Sequence, residues 1–464
     1  MLYKDVKEIK ASLNGILTLD GEKIKIADSD KFNQKTIDEI VYNAVFGDQE
    51  IREICRWVIW ECSQQLAIYP SSIQGLYEAR AHGEYSNITV PASNIRGMTY
   101  DTARALFRAA IKNNVKAFIF EIARSEIGYT DQKPSEYTAV VLGAALKEGY
   151  KGPVFIQGDH YQVSASKFSK DSAAEIKTLK DLIKESVDSG FYNIDIDAST
   201  LVDLSKNSVR EQQRLNYEVT AELSAFIRSI EPEGITVSVG GEIGEVGKKN
   251  STVEELREFL KGFHEELGKK GKSLKGLSKI SVQTGTTHGG VPLPDGKIAE
   301  VKLDFNVLKD LSKAGREEFS IGGTVQHGAS TLPEEAFDKF PQFDTVEVHL
   351  ATGFQNIIYD SSYFPQSLRE EIYGYIRNEL KGEKKDSDSE EQFIYKTRKK
   401  GFGPFKKKMW DMPEDIRKKI SEELEQKFNL LFKKLNVANT KKLVEDKVKV
   451  KPVKIKIPQE IKKL

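Results

Sequence analysis

The sequence predicts an α/β fold, a (β/α)8 TIM barrel carrying a helical N-terminal extension and a basic C-terminal extension. Three observations lead there. From Ile88 onward, short β-branched runs alternate with longer helical patterns, as strands of a parallel sheet alternate with crossover helices. Eight such runs can be counted, and roughly 280 residues for eight units matches a barrel better than an open sheet. Five of the runs end in a residue able to bind metal.

The eight strand candidates are, in order, ITVPASNI from Ile88, KAFIFEIA from Lys116, PVFIQGDH from Pro153, NIDIDAST from Asn193, ITVSVGGE from Ile235, KISVQTGTTH from Lys279, FSIGGTVQH from Phe319 and TVEVHLAT from Thr345. Between them lie helices such as TYDTARALFRAAIKN, where Ala103, Leu106, Phe107 and Ala110 recur at three-and-four spacing on one face. Another runs from Lys170-Asp171-Ser172 to a stop at Gly190. The chain before them is mostly helical in pattern, with Ile51, Ile54, Cys55, Val58, Ile59 and Cys62 on one stripe. The expected organisation is therefore a helical extension over residues 1–85, a catalytic barrel over 86–380, and a charged linker, helix and Lys-rich arm over 381–464. In that last part GEKKDSDSEEQ reads as a mobile linker. A helix follows from Pro413 to about Leu435, and KVKVKPVKIKIP reads as an edge strand or an arm laid on a neighbouring surface.

Composition narrows the function classes. The 464 residues carry 70 basic and 70 acidic side chains, so no global field attracts nucleic acid or an anionic membrane. Two cysteines, Cys55 and Cys62, are too few for a disulfide framework or a four-cysteine zinc site and read as reduced thiols. No signal peptide or membrane-spanning run is evident, so a cytoplasmic protein is expected, with no nucleic-acid or membrane partner. The extra helices and the Lys-rich arm suit exchange between subunits, and a homo-oligomer is the expectation.

In a parallel barrel the active site lies at the C-terminal ends of the strands. Strands three to seven end in Asp159-His160, Asp197, Glu242, His288 and His327. A single histidine there is an ordinary polar residue. Three of the chain's six histidines on one rim are not chance placement. Three imidazoles suit a divalent transition metal, zinc first, and leave a position open for substrate oxygens. Asp159 then sits beside the metal, able to move a proton on a carbon next to a polarised carbonyl. Glycines surround two of the histidines, in TGTTHGG and GGTVQHGAS, where backbone N–H groups and hydroxyls can cradle a phosphate. Gly289, Gly328, Ser330 and Thr352 are the candidates.

These segments, taken in order over roughly Ile88 to Asp360, resemble the class II fructose-bisphosphate aldolases. QGDH resembles that family's Asp-His pair, DIDAST its Ile-Asp-Ala-Ser, GGEIG its Glu-Leu-Gly, GTTHGG its Gly-Thr-Ser-His-Gly and QHGAS its His-Gly-Gly-Ser. The resemblance implies that His160, His288 and His327 hold the catalytic Zn2+ or another divalent transition metal, with Asp197 and Glu242 near an alternative cation position. It implies that Asp159 handles the proton at the hydroxylated carbon and that Gly289, Gly328 and Ser330, helped by Thr352, hold the phosphate of dihydroxyacetone phosphate. The chain departs from the family at three places. His349 stands near the reacting ketose where the family usually has Asn. The loop after the fifth strand reads EVGKKNST, with Glu245 as a substitute for the family's acidic proton donor, and in ARSEIGYTDQ either Ser125 or no residue matches the family's loop serine.

The implied activity is reversible cleavage of a ketose 1,6-bisphosphate, fructose 1,6-bisphosphate first, to dihydroxyacetone phosphate and an aldehyde. An aldolase for another phosphorylated sugar, such as tagatose 1,6-bisphosphate, is the alternative within the class. A non-catalytic metal-binding barrel is the alternative outside it.

Overall fold

The computed structural model describes residues 2–20, 23–244, 249–285, 303–459 and 461. Eight parallel strands close on themselves: β1 (Val90–Asn94), β2 (Ile119–Ala123), β3 (Gly152–Gln162), β4 (Asn193–Asp197), β5 (Ser238–Gly244), β6 (Lys279–Val282), β7 (Thr324–Gln326) and β8 (Glu347–Leu350). Each pairs with the next, and β8 pairs back onto β1, with His349 opposite Ala92. The chain is thus a (β/α)8 barrel, and every strand candidate in the sequence contributes one of its staves. The strands are buried along nearly their whole length because helices cover the outside and side chains fill the inside.

The covering helices begin where their caps dictate. Asp171 accepts a hydrogen bond from the Ala174 N–H and opens the helix Ser172–Asp188, which ends two residues before Gly190. The helix Thr99–Lys112 buries Ala103, Leu106, Phe107 and Ala110, the face its spacing predicts. The helix expected from Pro413 spans Glu414–Lys434 and packs on Thr99–Lys112, tied by Arg417 to Asp101 at 2.9 Å and Arg108 to Glu425 at 2.7 Å. Cys55 and Cys62 are both buried free thiols, and burial pushes each up. Among the described residues no helix is long and apolar enough to cross a membrane.

Two stretches differ from the sequence reading, and a third follows one of its two alternatives, the arm. The N-terminal part is not all helix: Leu17–Asp20 and Lys23–Ile26 form an antiparallel hairpin, and Ile68–Ser71 pairs parallel with the start of β3. The hairpin strands LTLD and KIKI alternate with period two, a pattern too short to stand out beside the long amphipathic helix Gln49–Gln65. The stretch expected to be a mobile linker runs at its end into a helix. Ser389 and Gln392 form a capping box that opens the helix Glu390–Thr397, and ion pairs Arg377–Glu390 and Lys384–Glu390 hold it to the preceding segment. The Lys-rich arm pairs with no sheet among the described residues. It lies on its own chain, where the Trp60 indole N–H donates to the Val453 carbonyl at 2.8 Å and the Val453 N–H donates to Gln64 at 2.7 Å.

Candidate active site

β3 delivers the central pair by an irregularity. Its register with β4 shifts between Gly158 and Tyr161, and His160 takes a left-handed backbone conformation, φ 41°. Gly158 is required there because a Cβ would fall 2.4 Å from the Tyr161 ring. The irregularity places Asp159 against β8 and His160 against β4 and β5. A non-glycine residue held at positive φ stores strain that the surrounding packing must sustain, a common property of functional positions.

His160 Nδ1 faces Glu242 Oε2 at 3.1 Å and Asp197 Oδ2 at 3.5 Å. Its ring meets that of His327, centroids 4.1 Å apart, and His327 in turn stacks on His349 at 4.2 Å. Donor atoms of His160, Glu242 and His327 all lie within 4.8 Å of one another, as do those of Asp159, His327 and His349. Opposite donors on one divalent ion are at most about 4.4 Å apart, so slight closure brings the first set onto a common centre. The residues fit a cation. Asp197 stands behind His160 rather than in either set: its Oδ2 accepts from Gln162 at 2.6 Å and its Oδ1 from the Ser199 hydroxyl at 2.7 Å. Such an anchored carboxylate fixes the orientation of a ligand imidazole. His288, Gly289 and Glu245 lie outside the described residues.

The charges are strongly coupled. Burial opposes a proton on His160, but Asp159, Glu242 and Asp197 outweigh it and hold the imidazole well above its ordinary range. Burial and the neighbouring Asp197 push Glu242 up to about 7. His349 Nδ1 lies 3.1 Å from both Asp159 Oδ1 and Glu121 Oε2, while its Nε2 meets Glu347. Burial again disfavours the imidazolium, and Glu121 and Asp159 override it, so His349 is held charged above the usual range. Its ring therefore lies between Asp159 and Glu347, beside the candidate base.

Asp159, His160, His327, His349, Gly328, Ser330 and Thr352 all line one open cavity of about 920 Å³, together with Ser125, Arg96, Arg124 and Lys399. Gly328 has φ 69°, a conformation suited to glycine, and brings the backbone round after His327. Ser330 Oγ accepts from the Ala351 N–H at 2.6 Å, which leaves its own proton to donate. Thr352 begins the helix Thr352–Asp360, whose first-turn N–H groups suit an anion.

A layer of side chains beneath the rim escaped the sequence reading. Lys279 Nζ reaches Asp195 at 2.9 Å, Gln157 at 2.7 Å and Glu347, and Gln157 donates to Glu121 at 3.1 Å. The signal was available: Asp195 precedes Asp197, Gln157 precedes Asp159 and Glu347 precedes His349 by two residues, the period that puts both members of a pair on one side of a strand. Arg96, which binds Glu126 at 2.7 Å and Gln355 at 3.0 Å, was missed because it lies in a loop after β1 with no pattern to mark it.

Comparison with known proteins gives a family and a fold. The sequence family described as fructose-bisphosphate aldolase class II matches residues 75–444, well over half of the chain. No curated protein matches in sequence. Among solved structures, a probable tagatose 6-phosphate kinase from Sinorhizobium meliloti superposes with a TM-score of 0.51 at 13% identity, covering 77% of this chain and 98% of its own. A fructose-bisphosphate aldolase from Campylobacter jejuni gives 0.47 at 18% identity, covering 78% and 94%. The YdjI aldolase from Escherichia coli gives 0.45 at 14%, covering 79% and 98%. At these identities the likeness is one of fold.

Proposed function

Because the chain belongs to the class II fructose-bisphosphate aldolase family, we propose that it reversibly cleaves a ketose 1,6-bisphosphate, fructose 1,6-bisphosphate first, into dihydroxyacetone phosphate and an aldehyde. One observation carries the reading: His160 and His327, which share a donor set with Glu242, the buried carboxylate of Asp159 and the cradle of Gly328, Ser330 and Thr352 line the same cavity. His160, His327 and His288 would hold a divalent cation, zinc by preference for imidazole, with Glu242 in reach. When bound, it supplies Lewis-acid polarisation of the ketose oxygens.

The chain's own residues then divide the work. Gly328, Ser330 and the first turn of the helix at Thr352 bind the phosphate of the three-carbon ketose and fix its reach. In the condensation direction Asp159 takes the proton from the hydroxylated carbon beside the carbonyl. The electron pair left behind forms the new carbon–carbon bond to the aldehyde carbon, whose oxygen takes up a proton. Cleavage runs the same steps in reverse, and Asp159 returns its proton to the same carbon. His349 holds the Asp159 carboxylate in place through the 3.1 Å contact at Nδ1.

Release of triose phosphate from fructose 1,6-bisphosphate, followed with a coupled assay on zinc-loaded protein, tests the reading. The rate is expected to vanish on chelation and to fall about 100- to 10,000-fold in Asp159→Asn, the range a positioned general base contributes. Release from tagatose 1,6-bisphosphate alone moves the substrate assignment within the class. No release from either ketose bisphosphate, with metal bound, sinks it in favour of a non-catalytic metal-binding barrel.

A further inference from the structure

A second cavity, of about 370 Å³, lies at the end of the barrel opposite the rim, and Arg80, Tyr85, Asn87, Arg316, Gln342 and Asp344 are among its lining residues. Asn87 precedes β1 and Asp344 precedes β8, while Arg316 sits in the last turn of the helix Phe305–Phe319 that leads to β7. These residues therefore gather at the N-terminal ends of the strands. The cavity shares no lining residue with the one that holds Asp159 and His160.

Its charge is unbalanced. Asp344 gives one oxygen to each of two arginines: Oδ1 accepts from Arg80 Nη2 at 2.9 Å, and Oδ2 accepts from Arg316 Nη2. One carboxylate thus meets two guanidinium groups, and no other acid lines the cavity among the described residues. Arg80 is 2% exposed. Its Nη1 donates to the Ile88 carbonyl and its Nη2 also reaches the Thr345 carbonyl at 3.4 Å, which ties the approaches to β1 and β8 together. Arg80 Nε and Arg316 Nη1 remain as buried donors with no hydrogen-bond partner among the described residues. A buried donor without an acceptor is costly, and more so on a charged group. Two of them beside a surplus positive charge call for an oxyanion, whose oxygens match the fork of a guanidinium.

The ligand class follows from the remaining donors. The Ser86 hydroxyl and the side-chain amides of Asn87 and Gln342 also line the cavity and can each donate. A carboxylate has two oxygens, which the two arginines would occupy. A phosphate has a third for these groups, and the volume leaves room for a small ester beside it. We propose that this cavity is a second, non-catalytic binding site for a phosphate group, free or carried on a small ester, held by Arg80 and Arg316. Its occupant joins the approaches to β1 and β8 to the helix before β7. The inference is independent of the aldolase reading, which concerns the other end of the barrel.

Hydrogen exchange of the metal-loaded full chain, titrated with inorganic phosphate, tests this. Peptides over residues 79–89 and 340–346 report on the cavity, and peptides over 326–332 report on the cradle at the rim. Phosphate should slow exchange in the first two. Arg316→Gln should raise the phosphate concentration needed for half of that effect about 10- to 100-fold, the range of a hydrogen bond to a charged group, and leave the rim peptides at the parental concentration. Gln342→Glu, isosteric and at an exposed position, adds a negative charge to the lining; it should weaken the site in the same direction and keeps the test open should Arg316→Gln not fold. Arg257→Gln, at an exposed cation paired with Glu318, should change nothing. Repeating the titration with glycerol 3-phosphate separates the sources: tighter binding than inorganic phosphate marks an esterified ligand, and equal or weaker binding the free ion. No slowing over residues 79–89 and 340–346 in the parent, or slowing that survives both substitutions at the parental concentration, overturns the proposal. A rim that ignores phosphate while this cavity responds would count against the aldolase reading alone.

Discussion

At the scale of single residues, the rim is an arrangement of groups that must lose protons before a cation can bind. Without metal, His160 keeps its proton above the ordinary imidazole range because Asp159, Glu242 and Asp197 overcome its burial, and Glu242 sits at about 7. A metal takes the neutral imidazole and the ionised carboxylate, so binding expels what these groups hold. The sign follows directly: affinity rises with pH, most steeply below about 7, where Glu242 still holds its proton, and less steeply above it. Zinc titrations between pH 6 and 8 should show this rise, and calorimetry in buffers of different ionisation enthalpy should register net proton release. Glu242→Gln removes one of the two titrations and should flatten the profile. An affinity flat across that range in the parent would mean that these groups are not the ligands.

At the scale of elements, what was legible in the sequence follows from periodicity and position. Eight strands could be read because each is a short run rich in β-branched residues set between helical patterns, and Asp159, His160, Asp197, Glu242 and His327 could be placed on one rim because a parallel barrel gathers the ends of its strands. The hairpin Leu17–Asp20/Lys23–Ile26 and the helix Glu390–Thr397 could not, since four alternating residues or one capping box make no statistical mark. Still less could a sequence show that the turn Arg398–Gly401 returns to the barrel mouth, because that contact joins residues some three hundred apart and rests on the shape of one ring. Phe402 is that ring, buried over Gly97 and against Tyr359, centroids 4.8 Å apart. Its removal tests the element as a unit. Phe402→Ala should cost about 3–5 kcal/mol, the usual loss for a buried phenyl ring, in the segment's own unfolding. Hydrogen exchange should then show residues 390–410 opening ahead of the barrel strands. Uniform exchange across both would mean that the segment and barrel unfold together, with Phe402 as no special anchor.

At the scale of the molecule, the barrel is filled in an unusual way. Such interiors are built mostly from layers of branched aliphatic side chains, yet here Glu121, Gln157, Asp195, Lys279, Glu347 and His349 meet from β2, β3, β4, β6 and β8 beneath the rim. Lys279, 1% exposed, is the hub. Burial alone would drive Glu347 up, but Lys279 and His349 hold it at about 2, whereas Asp195, more weakly compensated, is pushed by burial up to about 6. Replacing Lys279 by Met keeps much of the volume and strands two carboxylates at the centre of the fold. Breaking a buried pair from one side costs about 3–5 kcal/mol, so denaturant unfolding should register a loss of that size. The loss should depend on pH with a definite sign. A carboxyl raised above its unfolded value favours the folded state fully below that value and ceases to do so as pH rises through the folded one. Without Lys279, Asp195 is raised further, so its protonation relieves the variant more at pH 5 than at pH 8. The deficit of Lys279→Met is therefore expected to be larger at pH 8 than at pH 5, and Lys279→Met/Glu347→Gln should recover part of it by removing one stranded charge. A deficit below about 1 kcal/mol at both pH values would show that the polar layer is dispensable to barrel closure.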